Sequence, residues 1–188
     1  MRESEIKFTA DDLDEFVVAL EEGTYSEAGH SVVEVETPAG TAVGVNDVVV
    51  EKVISQRIIE VAVDVNGRPL ATYRTDGIIV ASPLGSTAYS LSAGGPIVDA
   101  SLDALILTPV APHSLLTRAV VLAPDAEVRL TVSVDRPARV NVDGREFCVV
   151  EQGEPILVRR GETQVRFLTL DRHPFPEAVR EQFGLDHA

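Results

Sequence analysis

Tryptophan is absent from this 188-residue chain, cysteine occurs once, and lysine occurs only as Lys7 and Lys52 against fourteen arginines. Each shortage excludes something. A lone cysteine, Cys148, leaves no intrachain disulfide and no thiolate metal framework; within the apolar run 146–150 it reads as a buried thiol acting as a small hydrophobe. Basic residues number 16 against 30 acidic ones, for a formal net charge of −14 and a pI near 4.6. Such a balance repels nucleic-acid backbones and anionic membranes, so neither is expected as a partner. No run approaches the roughly 20 apolar residues of a membrane span, and residues 1–14 are charged, without the apolar core of a secretion signal. A cytoplasmic location is the expectation. Acidity without lysine suits a high-salt cytoplasm, where salt screens self-repulsion; an ordinary acidic protein from a GC-rich genome fits equally well.

What is present points to one β-rich domain spanning residues 1–188, since 45% apolar content over this length supports a single core. Residues 9–22 have a helical pattern. Thr9 is placed to cap it, Asp11, Asp12 and Asp14 favour its positive end, and Gly23 can end it. Leu13, Phe16, Val17 and Leu20 form one apolar stripe that is expected to pack against a partner surface. From residue 31 the period changes to two. Strands are expected over 31–36, 47–54, 59–65 and 70–75, with Asn66-Gly67 as the tight turn of a hairpin. Further short strands are expected over 104–107, 119–122, 127–134, 138–142, 146–150, 155–158 and 164–170, with Asp143-Gly144 as a second hairpin turn. Pro174 and Pro176 precede a last short helix over 177–183 that Gly184 ends. The fold class is therefore mainly β: an antiparallel β-sandwich of many short strands with one N-terminal helix and short peripheral helices.

The stretch from Asp76 to Pro96 organises the rest. Asp76-Gly77 leads into four apolar residues that suit a short buried strand, and the chain then breaks into Ser82, Ser86, Thr87, Tyr89, Ser90 and Ser92 before Gly94-Gly95-Pro96. Hydroxyls at this density, with glycines that allow close backbone approach, suit a polar, uncharged ligand surface such as ribose or amide. The order of residues carries more than their composition. Asp76-Gly77, Pro83, the run 85–90 and the run 92–96 together resemble the signature of the NAD kinase family. Val45-Asn46-Asp47 upstream resembles its Asn-acidic pair entering a strand, and 108–115 resembles its Thr-Pro-x-x-Pro-His-Ser-Leu segment.

The resemblance covers the C-terminal, NAD-binding domain of such a kinase, an architecture shared with diacylglycerol kinases. It implies transfer of a phosphoryl group from ATP or polyphosphate to the 2′-hydroxyl of NAD's adenosine ribose, giving NADP. It also implies that Asn46 and Asp47 contact the ribose or adenine side. Asp76 would bind the nicotinamide end near a subunit boundary, and Arg74 would lie near the phosphates. Thr87, Ala88, Tyr89, Ser90, Leu91 and Ser92 would wall the pocket, with Tyr89 as a flat face for a base. Arg57, Ala111 and Arg145 fall where family members line the ligand. Leu84 departs from the pattern, which commonly has a hydroxyl there, and Asp47 is shorter than the frequent glutamate. His113 reads as a turn or subunit contact.

Phosphoryl transfer needs a phosphate cradle, a metal and a base or orienting residue. The family's Gly-Gly-Asp-Gly motif has no counterpart between Met1 and Asp47, so no catalytic residue and no metal ligand is assigned here. ATP or polyphosphate and Mg2+ are expected only with the N-terminal domain, and the chain alone is expected to be inactive. It reads as an excised domain or as a natural remnant. The resemblance further implies a homodimer or tetramer. Two other readings remain: a non-catalytic NAD(P)-binding or oligomerisation module, and a lipid kinase relative, against which the Gly-Ser-Thr-Ala-Tyr-Ser run and the lack of a basic or apolar membrane face both tell.

Overall fold

The computed structural model describes residues 10–170, apart from Ser55, Ser114 and Val134, and residues 175–184. They fall into two compact units, one within residues 30–165 and one made of the described residues before 30 and after 165.

The larger unit is built from two antiparallel six-stranded sheets. In chain order the strands are β1 (Ser26–Thr37), β2 (Gly40–Gly44), β3 (Asp47–Lys52), β4 (Ile59–Val65), β5 (Arg68–Thr75), β6 (Gly77–Ala81), β7 (Leu105–Val110), β8 (Val120–Leu122), β9 (Glu127–Val132), β10 (Ala138–Val142), β11 (Arg145–Val150) and β12 (Pro155–Thr169), of which residues 26–29 and 166–169 count with the smaller unit. One sheet has the order β2-β1-β12-β9-β4-β5, the other β11-β10-β3-β6-β7-β8. Alternation decides what each strand buries. Val48 and Val50 of β3, Ile78 and Val80 of β6, Leu105 and Leu107 of β7 and Val140 of β10 join Val33, Val61, Tyr73, Leu130 and Ile156 in the main core. β-branched residues dominate this set, as suits a pleated surface packed on one face.

The second sheet is also covered on its outer face. Val49, Ile79, Ala81 and Ile106 form a smaller core there, packed by Ala93, Val98, Val110 and Ala119. β6 is therefore buried along its whole length, which explains its unbroken apolar run. The covering segment is not a plain loop, as the hydroxyl-rich sequence suggested. Leu84–Thr87 is a 3-10 turn and α2 (Tyr89–Ser92) a single α-helical turn.

The strands differ from expectation in several places. Residues 40–44 pair with β1 as β2, though Gly40 and Gly44 bracket a stretch too short to show a period. β1 begins at Ser26 rather than 31. The expected strands 155–158 and 164–170 are one continuous strand, β12, that runs straight through Gly161. A Cβ at Gly161 would stand 2.6 Å from Val32 Cγ2, so glycine is needed there for close strand packing rather than as a breaker.

The smaller unit contains α1 (Ala10–Glu22) and α3 (Phe175–Phe183). Gly23, at φ 67°, ends α1 in the left-handed conformation, and Thr24 N–H donates to Ala19 O at 2.9 Å. Thr9 and Pro174 lie outside the described residues, as do the side chains of Asp11 and Asp12. The apolar stripe of α1 is less covered than expected: Leu13 is 59% exposed, Val17 and Leu20 are exposed and Phe16 is half-buried, while Ala19 is the one buried residue among the helix's described side chains. No described helix is long and apolar enough to cross a membrane.

Candidate functional site

The outer face of the second sheet carries the site because of strand parity. Asp47, Val49 and Glu51 alternate with the core residues of β3, and Arg139 and Asn141 alternate with those of β10. The two strands are antiparallel neighbours with Arg139 opposite Glu51 and Asn141 opposite Val49. These side chains rise on one face beside Ala88 and Tyr89 and enclose a groove of about 630 Å3, completed by Asn46, Asp143, Gly144 and Glu146. A second recess of about 300 Å3 adjoins it, lined by Lys52, Val53, Asp76, Gly77 and Val110 and sharing Glu51, Tyr89 and Arg139. Both volumes are within or near the range of small-molecule sites.

The hydroxyl-rich segment is locked to this face by its small residues. Ser82 Oγ donates to Val45 O at 2.7 Å and accepts from Gly85 N–H at 3.0 Å. Ser86 Oγ donates to Val98 O at 3.2 Å and accepts from Val98 N–H at 3.0 Å. Ser90 is fully buried, its hydroxyl 2.8 Å from Thr108 Oγ1. Gly95 leaves room for that pair, since a Cβ there would stand 2.9 Å from Thr108 Oγ1. Most of the serines thus hold the segment in place, and Tyr89 is the side chain it offers, 41% exposed.

The groove is strongly acidic. Asp47, Glu51, Asp76, Asp143 and Glu146 face only Lys52 and Arg139 among the lining residues. Lys52 Nζ is 2.6 Å from Asp76, and Arg139 Nε is 2.7 Å from Glu146. Asn141 donates to Glu51 Oε1 at 2.9 Å. The carboxylates therefore occupy the cations, and the groove is poorly suited to phosphate but well suited to hydroxyl, amine or amide donors. Asp47 is only 4% exposed, and burial followed by the nearby Asp143 charge raises its carboxyl from 3.8 to about 6. Burial, then Glu51, Asp76 and Asp47, also push the Tyr89 phenol up. Among the described residues, no set of three or more His, Cys, Asp or Glu is arranged to hold a metal ion.

Of the sequence-predicted residues, Asn46, Asp47, Ala88 and Tyr89 line the groove and Asp76 lines the adjoining recess. Thr87, Leu91 and Ser92 flank Tyr89 without lining either space, and Leu84 is half-buried at the start of the 3-10 turn. Arg74 is exposed on β5, and Arg57 lies in the turn after β3 beside Lys52 and Arg136. Ala111 follows β7 in the left-handed conformation at φ 46°, and Arg145 is exposed beside the turn at Asp143. His113 contributes through its main chain, its N–H donating to Arg74 O at 2.7 Å. Sequence reasoning missed Glu51, Arg139, Asn141 and Glu146 as lining residues. For Arg139 and Asn141 the signal was the period-two alternation of 138–142, which marks a polar outer face but not what faces it; Glu51 follows three valines and Glu146 lies on β11, and neither stretch carries that signal.

The frame of the site is thus two antiparallel sheets with a short helical segment clamped on one outer face. The same fold occurs in a yeast NADH kinase solved with NADH, with a TM-score of 0.86 at 22% identity over 96% of this chain and 55% of that one. An NAD kinase from Archaeoglobus fulgidus solved with ATP gives a TM-score of 0.74 at 27% identity, over 91% of this chain and 64% of that one. Residues 45–170 match the ATP-NAD kinase C-terminal domain. An NAD kinase of Desulforamulus reducens is 40% identical over 77% of this chain and 52% of its own length, and one of Nitrosospira multiformis is 40% identical over 85% and 53%. The chain belongs to the NAD kinase family. It spans about half the length of the curated relatives it matches.

Proposed function

We infer that this chain is the NAD-binding domain of an NAD kinase and that the groove receives the nucleoside ends of NAD. The observation that carries this is the groove's composition: a flat phenol ring, five carboxylates and two amides, with both cations already paired. Ionised Asp47 and the Asn46 amide accept from and donate to a ribose diol or adenine edge. Tyr89 offers a ring face for stacking. Asp76 and Glu51 flank the same ring and suit the nicotinamide end, whose oxidised form is cationic. Thr87, Ser90, Leu91 and Ser92 serve as the support of Tyr89, while Arg74, Arg57 and Ala111 belong to the margin of the site.

The reaction of the complete enzyme, on this reading, moves a phosphoryl group from ATP or polyphosphate to the 2′-hydroxyl of NAD. The present residues bind and orient the acceptor; Mg2+, the phosphate cradle and the base come with the N-terminal domain. The reading includes a cytoplasmic location, which a lone cysteine suits, and a homodimer or tetramer, for which exposed Leu115, Leu116 and Val121 offer apolar surface. Titration calorimetry of the chain with NAD tests the binding claim. Binding between micromolar and millimolar, weakened by both Tyr89→Ala and Asp76→Ala, is expected. Heats of dilution alone at every pH and salt would remove the groove as the NAD site.

A further inference from the structure

Asn46 and Asp47, at the entry to β3, sit on a main chain whose polar groups are all held from outside the strand. Val45 N–H donates to Asp143 Oδ2 at 2.7 Å, while Asn46 and Asp47 N–H both donate to Asp143 Oδ1, at 2.7 and 3.1 Å. On the carbonyl side, Val45 O accepts from Ser82 Oγ at 2.7 Å, Asn46 O from Ser82 N–H at 2.9 Å and Asp47 O from Asp143 N–H at 3.0 Å. Two distant residues, Asp143 and Ser82, thus satisfy six main-chain groups of three consecutive residues. Three successive amides converging on one carboxylate form an anion nest filled by the protein's own side chain.

The turn is shaped for this task. Asp143 has φ 47° and Gly144 φ 75°, the paired left-handed geometry of a two-residue hairpin turn between β10 and β11. Asparagine or glycine would make that turn equally well. A carboxylate is not required by the hairpin, so its presence needs another explanation. Gly44 supplies part of it, because a Cβ there would stand 3.1 Å from Asp143 Oδ1 and 2.8 Å from Val142 Cγ1, crowding the carboxylate out of the nest.

We propose that Asp143 is a positioning residue of the site: its carboxylate fixes the main chain of Val45 to Asp47 so that the Asn46 and Asp47 side chains face the groove at a set angle. The proposal rests on the NAD-binding reading above for its functional consequence, but not for the structural one. It also has an electrostatic consequence. The groups that face Asp47 across the groove are Glu51 of its own strand, Tyr89 of α2, Arg139 of β10, Asp143 of the turn and Glu146 of β11. Of these, Asp143 is the charge that adds to burial in holding the Asp47 carboxyl up near 6. A ribose hydroxyl donates to the ionised form, so the same carboxylate that orients Asp47 also sets the pH at which Asp47 becomes a good acceptor.

The test compares the wild-type chain with Asp143→Asn and Asp143→Ala, using amide hydrogen exchange, carboxyl NMR titration of Asp47, and NAD calorimetry from pH 5 to 8. The Asp143→Asn variant keeps the left-handed turn but replaces one acceptor oxygen by an amino group facing an N–H, so it carries the test even where the Asp143→Ala variant does not fold. The expected results are exchange at Val45, Asn46 and Asp47 faster by about tenfold or more, an Asp47 midpoint below that of the wild type, and NAD binding about tenfold weaker at pH 7, the scale of one lost hydrogen bond. A residue that merely makes the turn would change the melting temperature while leaving the three amides and the Asp47 midpoint as they were, and that result overturns the proposal. Wild-type protein that binds no NAD, with the amides and midpoint still moving in the Asp143→Asn variant, overturns the NAD reading and leaves Asp143's positioning role standing.

Discussion

Gly85 lies directly on the main chain of Asn46: a Cβ on Gly85 would stand 2.6 Å from Asn46 Cα and overlap the Asn46 carbonyl oxygen. The contact joins the two stretches that carry the site, one entering β3 and one leaving β6, which are 39 residues apart in sequence. No side chain can fit between them. Gly85→Ala is therefore expected to destabilise by about 2 to 3 kcal/mol, the cost of overpacking against backbone that cannot move aside. Thermal melting measures it, and an unchanged melting temperature would show that the two segments part easily.

Asp47 sets function against stability. Its folded-state pKa of about 6 lies above the ordinary 3.8, so the folded protein binds the extra proton between those values. Stability from this group is present below about pH 4 and is lost as pH rises through 6. Asp47→Asn removes the buried charge and is expected to raise stability at pH 7 to 8 by on the order of 2 kcal/mol while weakening NAD binding. Melting curves at pH 4 and pH 8 check the sign. A variant stabilised at pH 4 but not at pH 8 contradicts it.

Wild-type NAD binding should itself strengthen as pH rises through about 6, where Asp47 ionises. Calorimetry between pH 5 and 8 follows this midpoint, and a flat profile would indicate that Asp47 does not touch the ligand.

Tyr89 is held by the buried Ser90–Thr108 contact and offers one ring to the groove. Tyr89→Phe keeps the ring and should leave NAD affinity within about twofold, whereas Tyr89→Ala should cost about 1 kcal/mol or more, the scale of an aromatic pair. Equal losses in the two variants would move the contribution from the ring to the hydroxyl.

Salt should discriminate between NAD and NADP. With five carboxylates against two cations lining the groove, the added phosphate of NADP meets a repulsive field that shortens from about 10 Å at 0.1 M salt to about 3 Å at 1 M. The preference for NAD over NADP is expected to narrow between those salt levels. A preference independent of salt would place the 2′ position away from the carboxylates.

Much of this was legible in the chain alone. The order of Asn46-Asp47, Asp76-Gly77, the 82–96 segment and 108–115 identified the family, and the period-two runs with Asn66-Gly67 and Asp143-Gly144 pointed to the antiparallel sheets and their hairpins. Local signals also failed where packing overrode them. Residues 159–163 separate two expected strands but lie inside β12, where Gly161 gives Val32 room, and the apolar stripe of α1 reads as a buried face but is exposed at Leu13, Val17 and Leu20. A glycine or a stripe in sequence states only what a residue permits.

Residue types and their parity along each strand were set within short stretches of chain, because alternation and turn chemistry are properties of a few neighbouring residues. Which polar faces meet was settled only when the sheets assembled. Glu51, Arg139 and Asn141 came into the site because β3 and β10 are neighbours in the sheet order, and Asp143 became the anchor of Asn46 because a turn 97 residues away closes over it. Contacts of that kind depend on how the sheets come together, and strand pairing leaves no mark on either segment read alone.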